Sequence, residues 1–488
     1  MVTNRQVTFN FCEANLTAPV LNRNSRFSIQ GVVLPESKII STTRVDQAVT
    51  RPIHYLGSKL RIKDLVSQAI ESVAPYGEAV CDLFAGSGTV SRALSHSRRV
   101  MAVDIQEYSR VICSALLNPV SVAPDCLAQF LDSAKFSEHS KKLSWAIEPI
   151  AAHEARCRTA ADAGEVESLC DFLEQASYLG FVRCPESITD ADLRTALKKT
   201  KSRLNEAGLS ESPESMVVRY YGGVYFSFIQ AAQIDMLLEA ASKLSPFEKD
   251  VFLAAILSTA SEVVNTVGKQ FAQPIRPRGS DGKPKKDLAK RVARDRSDNV
   301  FEVFENWIVR YLATSHSEKK HEVLRSDYKE ALKNLHNSVG VVYADPPYTR
   351  DHYSRYYHVL ETLCLRDCPS ISTIQVNGRE QISRGIYRMG RHQSPFCIKS
   401  QAPGAFSSLL AGVRNLGVPL VLSYSPFEAA SAARPRLMAV DHIQQLAKKF
   451  FSSVEIWTAD EFAHSKLNRS ERNTAVSYGA ENLLLCKP

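Results

Sequence analysis

Apolar and polar positions over residues 60–105 alternate in a way that is typical of an α/β sheet. Over residues 60–74 the apolar positions share one helical face, which predicts an amphipathic helix. Residues 79–94 follow with a short apolar strand, a glycine-bearing turn and the start of a helix, and a second strand over residues 99–105 ends on an acid. This order predicts the opening of an open, parallel α/β sheet.

The α/β pattern stops after this opening and returns in the last third of the chain. Helical patterns dominate the intervening stretch of about 200 residues, at 126–178, 189–206, 225–244 and 249–267. Apolar runs then predict further buried strands, at 339–348, 418–426, 454–459 and 481–488. The chain is therefore predicted to form one α/β sheet that is interrupted by a mainly helical insertion.

Composition adds a domain count and a basic segment to this picture. The chain has 488 residues, with 60 Lys and Arg against 52 Asp and Glu and a net charge of +8, and its length predicts two or three domains. Nine Lys and Arg and three Asp fall between Arg276 and Arg296. This segment indicates an acidic partner such as a nucleic acid; the alternative is a solvated basic loop.

Several protein classes are disfavoured by what the sequence lacks. Eleven cysteines without CxxC spacing predict reduced thiols rather than a disulfide framework, and no Cys/His set has the spacing of a zinc site. The amino-terminal residues lack the basic start and apolar core of a signal peptide. No apolar run reaches the roughly 18 residues of a membrane span. We therefore expect a cytoplasmic protein of bacterial or phage type that holds no metal.

The first glycine turn, over residues 82–88, begins with the acid that ends a strand and continues with small residues. It lacks the Lys-Ser/Thr of a P-loop and the spacing of a dinucleotide-binding turn. Asp104 ends the next strand, where a carboxylate can accept hydrogen bonds from ribose hydroxyls. These features predict a pocket for a nucleoside without a phosphate cradle, which suits S-adenosylmethionine. A plain tight turn is the alternative.

The second motif, Asp345-Pro346-Pro347-Tyr348, directly follows the apolar run over residues 339–344. Two successive prolines stop a strand and fix its backbone. We expect them to direct the Asp345 carboxylate and the Pro346 carbonyl to the carboxyl edge of the sheet. There both groups can accept hydrogen bonds from an exocyclic amino group, with the ring of Tyr348 beside them. The alternative is an Asp-Pro turn that only ends the strand.

Together, DLFAGSG and the downstream DPPY resemble the motifs of S-adenosylmethionine-dependent adenine-N6 DNA methyltransferases of the alpha order, the group that includes bacterial Dam enzymes. The aromatic-x-Gly-x-Lys motif of this group has a counterpart at residues 55–59. Its NAxxID segment has one at residues 230–235, where Gln replaces the Asn. The resemblance covers roughly residues 52–118 and 220–365. It implies a Rossmann-like methyltransferase sheet.

The resemblance also implies roles for single residues. Lys59 would hold the methionine carboxylate, Asp82 the methionine ammonium group and Asp104 the ribose hydroxyls, whereas Asp345 and the Pro346 carbonyl would bind the target amino group. The implied cofactor-binding residues are Tyr55, Gly57, Lys59, Asp82, Phe84, Ala85, Gly86, Ser87, Gly88, Asp104, Asp327 and Tyr328. The implied catalytic residues are Asp345, Pro346, Pro347 and Tyr348.

In this order of motifs, target recognition is implied to lie between the two halves of the catalytic sheet. The predicted division is an amino-terminal extension (1–50), a cofactor-binding half (51–118), an inserted helical target-recognition region (119–319) and a DPPY-containing half (320–488). The predicted nucleic-acid contacts are Arg276, Arg278, Lys283, Lys285, Lys286, Lys290 and Arg291. A second cluster, over residues 379–391, is either a further DNA-facing segment or a surface loop.

We therefore predict a site-specific enzyme that methylates adenine N6 in DNA. Because an adenine inside a duplex cannot reach such a pocket, the base has to be flipped out. The leading Asp345 disfavours glutamine-methylating enzymes, which usually have Asn there, and cytosine-N4 enzymes, which usually have Ser. An RNA adenine-N6 methyltransferase and a non-catalytic DNA-binding protein on the same fold are the alternatives. Double-stranded DNA is the predicted partner, and a restriction or defence partner is left open.

Overall fold

A computed structural model describes most of the chain beyond its amino-terminal segment. The described residues are 49, 51–57, 59–315, 317–335, 339–347, 349, 353–376, 378–425, 437–459 and 481–488. They lie within one compact unit over residues 45–488. The predicted extension over residues 1–50 lies outside the described residues apart from Val49, and so does Tyr348 of the predicted catalytic set.

A central sheet of seven strands organises this unit, and a separate two-stranded hairpin accompanies it. The sheet order is β3-β2-β1-β4-β7-β9-β8, and β5 pairs only with β6. All sheet neighbours are parallel except that β9 runs antiparallel to both β7 and β8. The strands are β1 (Val80–Asp82), β2 (Val100–Asp104), β3 (Glu322–Arg325), β4 (Val341–Ala344), β5 (Thr373–Val376), β6 (Arg379–Ile382), β7 (Leu420–Tyr424), β8 (Ser453–Ala459) and β9 (Glu481–Lys487).

Helices cover both faces of this sheet and fill the chain between β2 and β3. The α-helices are α1 (Lys63–Val73), α2 (Thr89–Ser95), α3 (Glu107–Leu117), α4 (Pro124–Phe136), α5 (Glu138–Asp162), α6 (Glu167–Gln175), α7 (Tyr178–Arg183), α8 (Ala191–Glu206), α9 (Met216–Tyr221), α10 (Phe228–Ala241), α11 (Pro246–Val263), α12 (Leu288–Arg296), α13 (Val300–Leu312), α14 (Tyr328–Asn334), α15 (Tyr353–Leu365), α16 (Ala402–Leu416) and α17 (Val440–Ala447). Short 3-10 helices lie at Lys59–Arg61, Pro185–Ser187, Pro213–Ser215, Val267–Lys269 and Pro395–Cys397.

The central strands are apolar along their length because they are covered on both faces. β1, β4 and β7 are buried at every position, as expected for parallel strands between two helical layers. Alternate residues enter opposite cores: Cys81 packs with α14, α16 and α17, whereas Val80 packs with α1 and α2. The mixed α/β fold with a mostly parallel sheet was therefore correctly predicted from these apolar runs.

A third core lies among the helices of the segment between β2 and β3. Helices α10 and α11, which correspond to the apolar runs at 225–244 and 249–267, are apolar around most of their circumference. The same core includes Ile112 of α3 and Tyr357 of α15, next to residues such as Phe252 of α11. The helical segment therefore packs directly on helices that belong to the sheet. None of the described helices is both long and apolar enough to cross a membrane.

The strand order fixes where a ligand can enter. From β1 the chain moves outward to β2 and β3, and it later returns on the other side of β1 to form β4 and β7. The order of strands thus reverses between β1 and β4. In open α/β sheets, ligands bind in the crevice outside the carboxyl ends of the strands at such a switch point. The last residue of β1 is Asp82, and Asp345 directly follows β4.

Candidate active site

A pocket opens at this switch point and collects most of the residues that the sequence motifs suggested. Its space amounts to ≈ 1180 Å³ including the open mouth. Gly88 does not line it. The predicted residues that do line it are Tyr55, Gly57, Lys59, Asp82, Phe84, Ala85, Gly86, Ser87, Asp104, Asp327, Tyr328, Asp345, Pro346 and Pro347.

The two glycines of the turn after β1 serve different purposes. Gly86 has a positive φ of 54°, and a Cβ there would lie 2.6 Å from the Tyr55 hydroxyl oxygen. Glycine is therefore needed for both the backbone conformation and the close approach of Tyr55. Gly88, at the amino end of α2, would bring a Cβ within 3.2 Å of the Cys113 sulfur. Gly88 thus supports packing of α2 on α3, whereas Gly86 shapes the pocket.

Asp82 carries a buried carboxylate with one oxygen that is not satisfied. The residue is 1% exposed, and its Oδ2 accepts a 2.6 Å hydrogen bond from Ser91 Oγ. Its Oδ1 is buried and has no hydrogen-bond partner among the described residues. Burial raises the pKa of Asp82 to about 7; the nearby Asp345 and Asp104 carboxylates also raise it, and the Ser91 hydrogen bond opposes the change. A buried polar atom without a partner at a pocket wall suits a ligand that donates a hydrogen bond.

Asp104, at the end of β2, ties the glycine turn to the next strand. Its Oδ2 accepts the Gly86 amide at 3.0 Å, and its Oδ1 accepts the Gln106 amide at 2.9 Å. Burial raises the pKa of Asp104, and these backbone hydrogen bonds oppose the change. Each carboxylate oxygen has two lone pairs, so both can accept a further hydrogen bond from a ligand.

Lys59 makes a contact that differs from the expected one. Instead of being kept for a methionine carboxylate, its ammonium lies 2.9 Å from Asp345 Oδ1 and 3.2 Å from Glu481 Oε1. Glu481 also accepts a 2.7 Å hydrogen bond from Ser423 Oγ. Burial raises the pKa of Asp345, the Lys59 ammonium lowers it, and the Glu481 carboxylate raises it further. The DPPY motif is therefore joined through Lys59 to Glu481, an acid that was not among the predicted site residues.

The rings of Phe84 and Tyr328 line another wall of the pocket, and the buried ring of Phe396 packs behind them. The rings of Phe84 and Tyr328 lie 5.6 Å apart, and that of Phe396 lies 5.6 Å from Phe84 and 5.3 Å from Tyr328. Asp327 caps α14 by accepting the Lys329 amide at 2.9 Å. Phe396 was not a sequence candidate because residues 392–397 carry no recognised motif. Their place in the wall follows from their packing against Phe84 and Tyr328.

The predicted nucleic-acid contacts divide into two groups. Arg276, Lys283, Lys285, Lys286 and Lys290 are exposed, Arg291 is half-buried, and none of these six forms an ion pair with another described residue. Arg278 is the exception, because its guanidinium lies within 3.3 Å of three carboxylates that project from α6. Arg278 was expected to contact nucleic acid, but it forms ion pairs with acids of the protein itself. These carboxylates belong to Glu167, Asp171 and Glu174.

Two basic segments that are about a hundred residues apart in the sequence are neighbours in the structure. Arg384 donates a 2.7 Å hydrogen bond to the Ile275 carbonyl, next to Arg276. The guanidinium carbons of Arg355 and Arg391 lie 4.9 and 5.2 Å from the ring centre of Tyr387. We call this set the basic surface; it consists of Arg276, Lys283, Lys285, Lys286, Lys290, Arg291, Arg355, Arg384 and Arg391.

The basic surface extends to the mouth of the pocket, and its cations repel one another. Arg355 directly follows Tyr353 and Ser354, which line the pocket. Burial lowers the pKa of Lys285, and the nearby Arg291, Arg276 and Arg384 lower it further. Clustered cations that lower each other's pKa favour a polyanionic partner, which would relieve the repulsion.

Comparisons with known proteins agree with the class that this fold and pocket define. The mostly parallel sheet and its acidic crevice are compatible with a methyltransferase fold. The family model for D12 class N6 adenine-specific DNA methyltransferases matches residues 55–161 and 291–384. The chain is also 21% identical over 417 residues to the type II methyltransferase M.NlaIII of Neisseria lactamica. This alignment covers 82% of the chain and 88% of the relative. Both findings support an adenine-specific DNA methyltransferase, the class that the sequence motifs predicted.

Proposed function

We propose that the enzyme takes its methyl group from S-adenosylmethionine and transfers it to N6 of an adenine that is flipped out of duplex DNA. The observation that carries this proposal is the convergence of Asp82, Asp104, Asp345 and Lys59 in one crevice between the ends of β1 and β4. Asp345 and the Pro346 carbonyl are the catalytic groups of the proposal. Pro347 and Tyr348 complete the motif.

The charges and hydrogen-bonding groups of the pocket support S-adenosylmethionine as the donor. Among the described residues that line the pocket, four Asp carboxylates face a single Lys ammonium. This excess of negative charge attracts a ligand with an ammonium and a sulfonium group. The methionine ammonium would bind Asp82 Oδ1, and the ribose hydroxyls would bind the free lone pairs of Asp104. When bound, the donor supplies an electrophilic methyl group.

The aromatic wall supports a place for the cofactor adenine. Phe84 and Tyr328 present apolar ring surface beside the turn that follows β1, and Phe396 supports both rings from behind. Offset aromatic stacking stabilises a planar base by more than its area burial alone. With the adenine held there and the ribose at Asp104, the donor would lie along the carboxyl ends of β2 and β1. Its methyl group would then face Asp345.

At Asp345 the chain supplies what a weak nucleophile needs. The N6 lone pair of adenine is delocalised into the ring, so positive charge must develop on nitrogen as the N–C bond forms and the S–C bond breaks. The Asp345 carboxylate and the Pro346 carbonyl would accept the two N6–H groups and stabilise this charge. The nitrogen then passes one proton to the Asp345 carboxylate and becomes a methylamino group, and S-adenosylhomocysteine is the leaving group. No step requires the Asp345 carboxylate to attack carbon.

For DNA binding we propose the basic surface, with the helical segment over residues 119–319 as the target-recognition region. Phosphate contacts from Lys and Arg position a protein on DNA without reading its sequence. Arg296, the last residue of α12, forms a 2.7 Å ion pair with Glu154 of α5, and this pair holds α12 in place for such contacts. Arg278 is not included in the proposed surface, since carboxylates of α6 already satisfy it.

The activity is tested by incubating the protein with methyl-labelled S-adenosylmethionine and duplex DNA, followed by digestion to nucleosides. We expect label in N6-methyldeoxyadenosine, and its loss in Asp345→Ala. Asp64→Ala is the matched control, because Asp64 is an exposed acid on α1 whose side chain is 83% accessible. Label that survives Asp345→Ala, or greater transfer to a matched structured RNA, would contradict the proposal.

A further inference from the structure

We propose that Glu481 is a positioning residue for methyl transfer: it holds the Lys59 ammonium so that this cation occupies one oxygen of Asp345 and leaves the other oxygen to the target amino group. The proposal rests on the proposed function, because it assigns Asp345 to the target base. Glu481 was not among the predicted site residues. It is drawn into the site by the topology of the sheet.

Glu481 reaches the catalytic edge because β9 runs against the other strands. The parallel strands β1, β4 and β7 end at this edge, whereas the antiparallel β9 begins there with Glu481. In the register of β7 and β9, Tyr424 is opposite Asn482 and Ser423 is opposite Leu483. Glu481 therefore lies one residue beyond the last paired position, beside the end of β7.

The contacts of Glu481 fix both of its neighbours. Oε1 accepts the Ser423 hydroxyl at 2.7 Å and lies 3.2 Å from Lys59 Nζ, so one oxygen joins the strand to the ammonium. Lys59 Nζ is in turn 2.9 Å from Asp345 Oδ1. Glu481 and Lys59 are 3% and 7% exposed. Burying a carboxylate costs free energy unless it is paired. The partner of Glu481 is Lys59, which also contacts Asp345.

Because the Lys59 ammonium contacts two carboxylates, its attraction is divided between Asp345 and Glu481. With Glu481 present, Lys59 keeps Asp345 charged without being its exclusive partner. Without that second carboxylate, the ammonium would attract Asp345 more strongly and weaken it as an acceptor for the N6 amino group. The groups that face Asp345 are Lys59, Glu481, Asp82 and the hydroxyls of Tyr343 and Tyr55. Of these, Glu481 and Lys59 act on Asp345 in opposite directions.

The test is the single-turnover rate of methyl transfer as a function of pH. For Glu481→Gln we expect a plateau rate lower by about ten- to a hundredfold and an acid limb displaced to lower pH, because a neighbouring negative charge is removed. Ser423→Ala should displace the limb in the same direction but less. Lys59→Met should displace it to higher pH. Binding of S-adenosylhomocysteine by calorimetry should stay within about twofold of wild type for Glu481→Gln.

The matched control is Glu455→Gln, since Glu455 lies on the neighbouring β8 with a side chain that is 54% exposed. It should leave the rate and its pH profile unchanged. A purely structural role for Glu481 predicts a lower melting temperature and a lower rate at every pH with an unmoved acid limb. That outcome, or a limb displaced upward, overturns the inference, whereas an inactive wild-type enzyme would overturn the proposed function itself.

Discussion

At the carboxyl end of β1, Asp82 loses its water on folding and keeps one hydrogen bond, from Ser91. Its pKa, about 7 instead of the ordinary 3.8, means that the folded protein holds this proton more tightly than the unfolded chain does. The stability that the neutral carboxyl contributes is complete below the unfolded pKa. It is lost as the pH rises through about 7. At neutral pH and above, the free enzyme therefore tolerates a buried charge that its cofactor can compensate.

Replacement of Asp82 should change the stability of the free protein and its affinity for the cofactor in opposite directions. In the absence of cofactor, Asp82→Asn should melt at a higher temperature than wild type at pH 8, and the difference should shrink toward pH 5, since the wild-type group is then neutral. The affinity for S-adenosylmethionine should fall by about ten- to a hundredfold, the size of a lost charged hydrogen bond. Thermal unfolding at both pH values and calorimetry check this. A variant that is less stable at pH 8, or that binds equally well, contradicts the assigned role.

At the scale of single elements, α12 and the loop before it show how one basic sequence serves two purposes. The inner side chain of Arg296 pairs with Glu154, and Arg278 is held by acids of α6. The outer Lys286 and Lys290 remain exposed. Charge counting alone could not distinguish these cations, because the partners of the inner ones come from distant helices.

This division gives opposite expectations for two sets of substitutions. The double variant Lys286→Ala/Lys290→Ala should weaken binding to DNA of any sequence and reduce the slope of log affinity against log salt by about two. Arg278→Ala should leave that slope unchanged and lower the melting temperature, because three acids lose their partner. Fluorescence anisotropy over a salt series measures both. An unchanged slope in the double lysine variant would remove this part of the basic surface from the DNA contact.

At the scale of the whole molecule, the sequence predicted the strands that are buried on both faces, because their apolar runs are continuous. It did not predict β3, an edge strand of sequence EVLR whose positions are mostly exposed, nor the β5–β6 hairpin. The motif residues could be placed near one another because parallel strands end at one edge. The positions of Glu481 and Phe396 could not be predicted in this way, since β9 and the segment after β6 bring them against Lys59 and Phe84 through tertiary packing.

The domain boundaries and the residue roles rest on the same reasoning and remain predictions. One core joins the helices between β2 and β3 to α3 and α15, so changes within that segment are expected to affect the catalytic half as well. The basic surface extends from the helical segment to Arg355, next to the pocket mouth. Binding of DNA and positioning of the target base would therefore use one continuous face.

We expect the enzyme to methylate adenine N6 at defined positions in duplex DNA, with the acidic crevice as its active site. The most direct measurement is to incubate the enzyme and S-adenosylmethionine with one unmethylated plasmid of known sequence and to map the modified bases one by one. We expect N6-methyladenine at every copy of one short sequence, and none with Asp345→Ala. Methyl groups on cytosine N4, or no modified base while the cofactor binds, would contradict it.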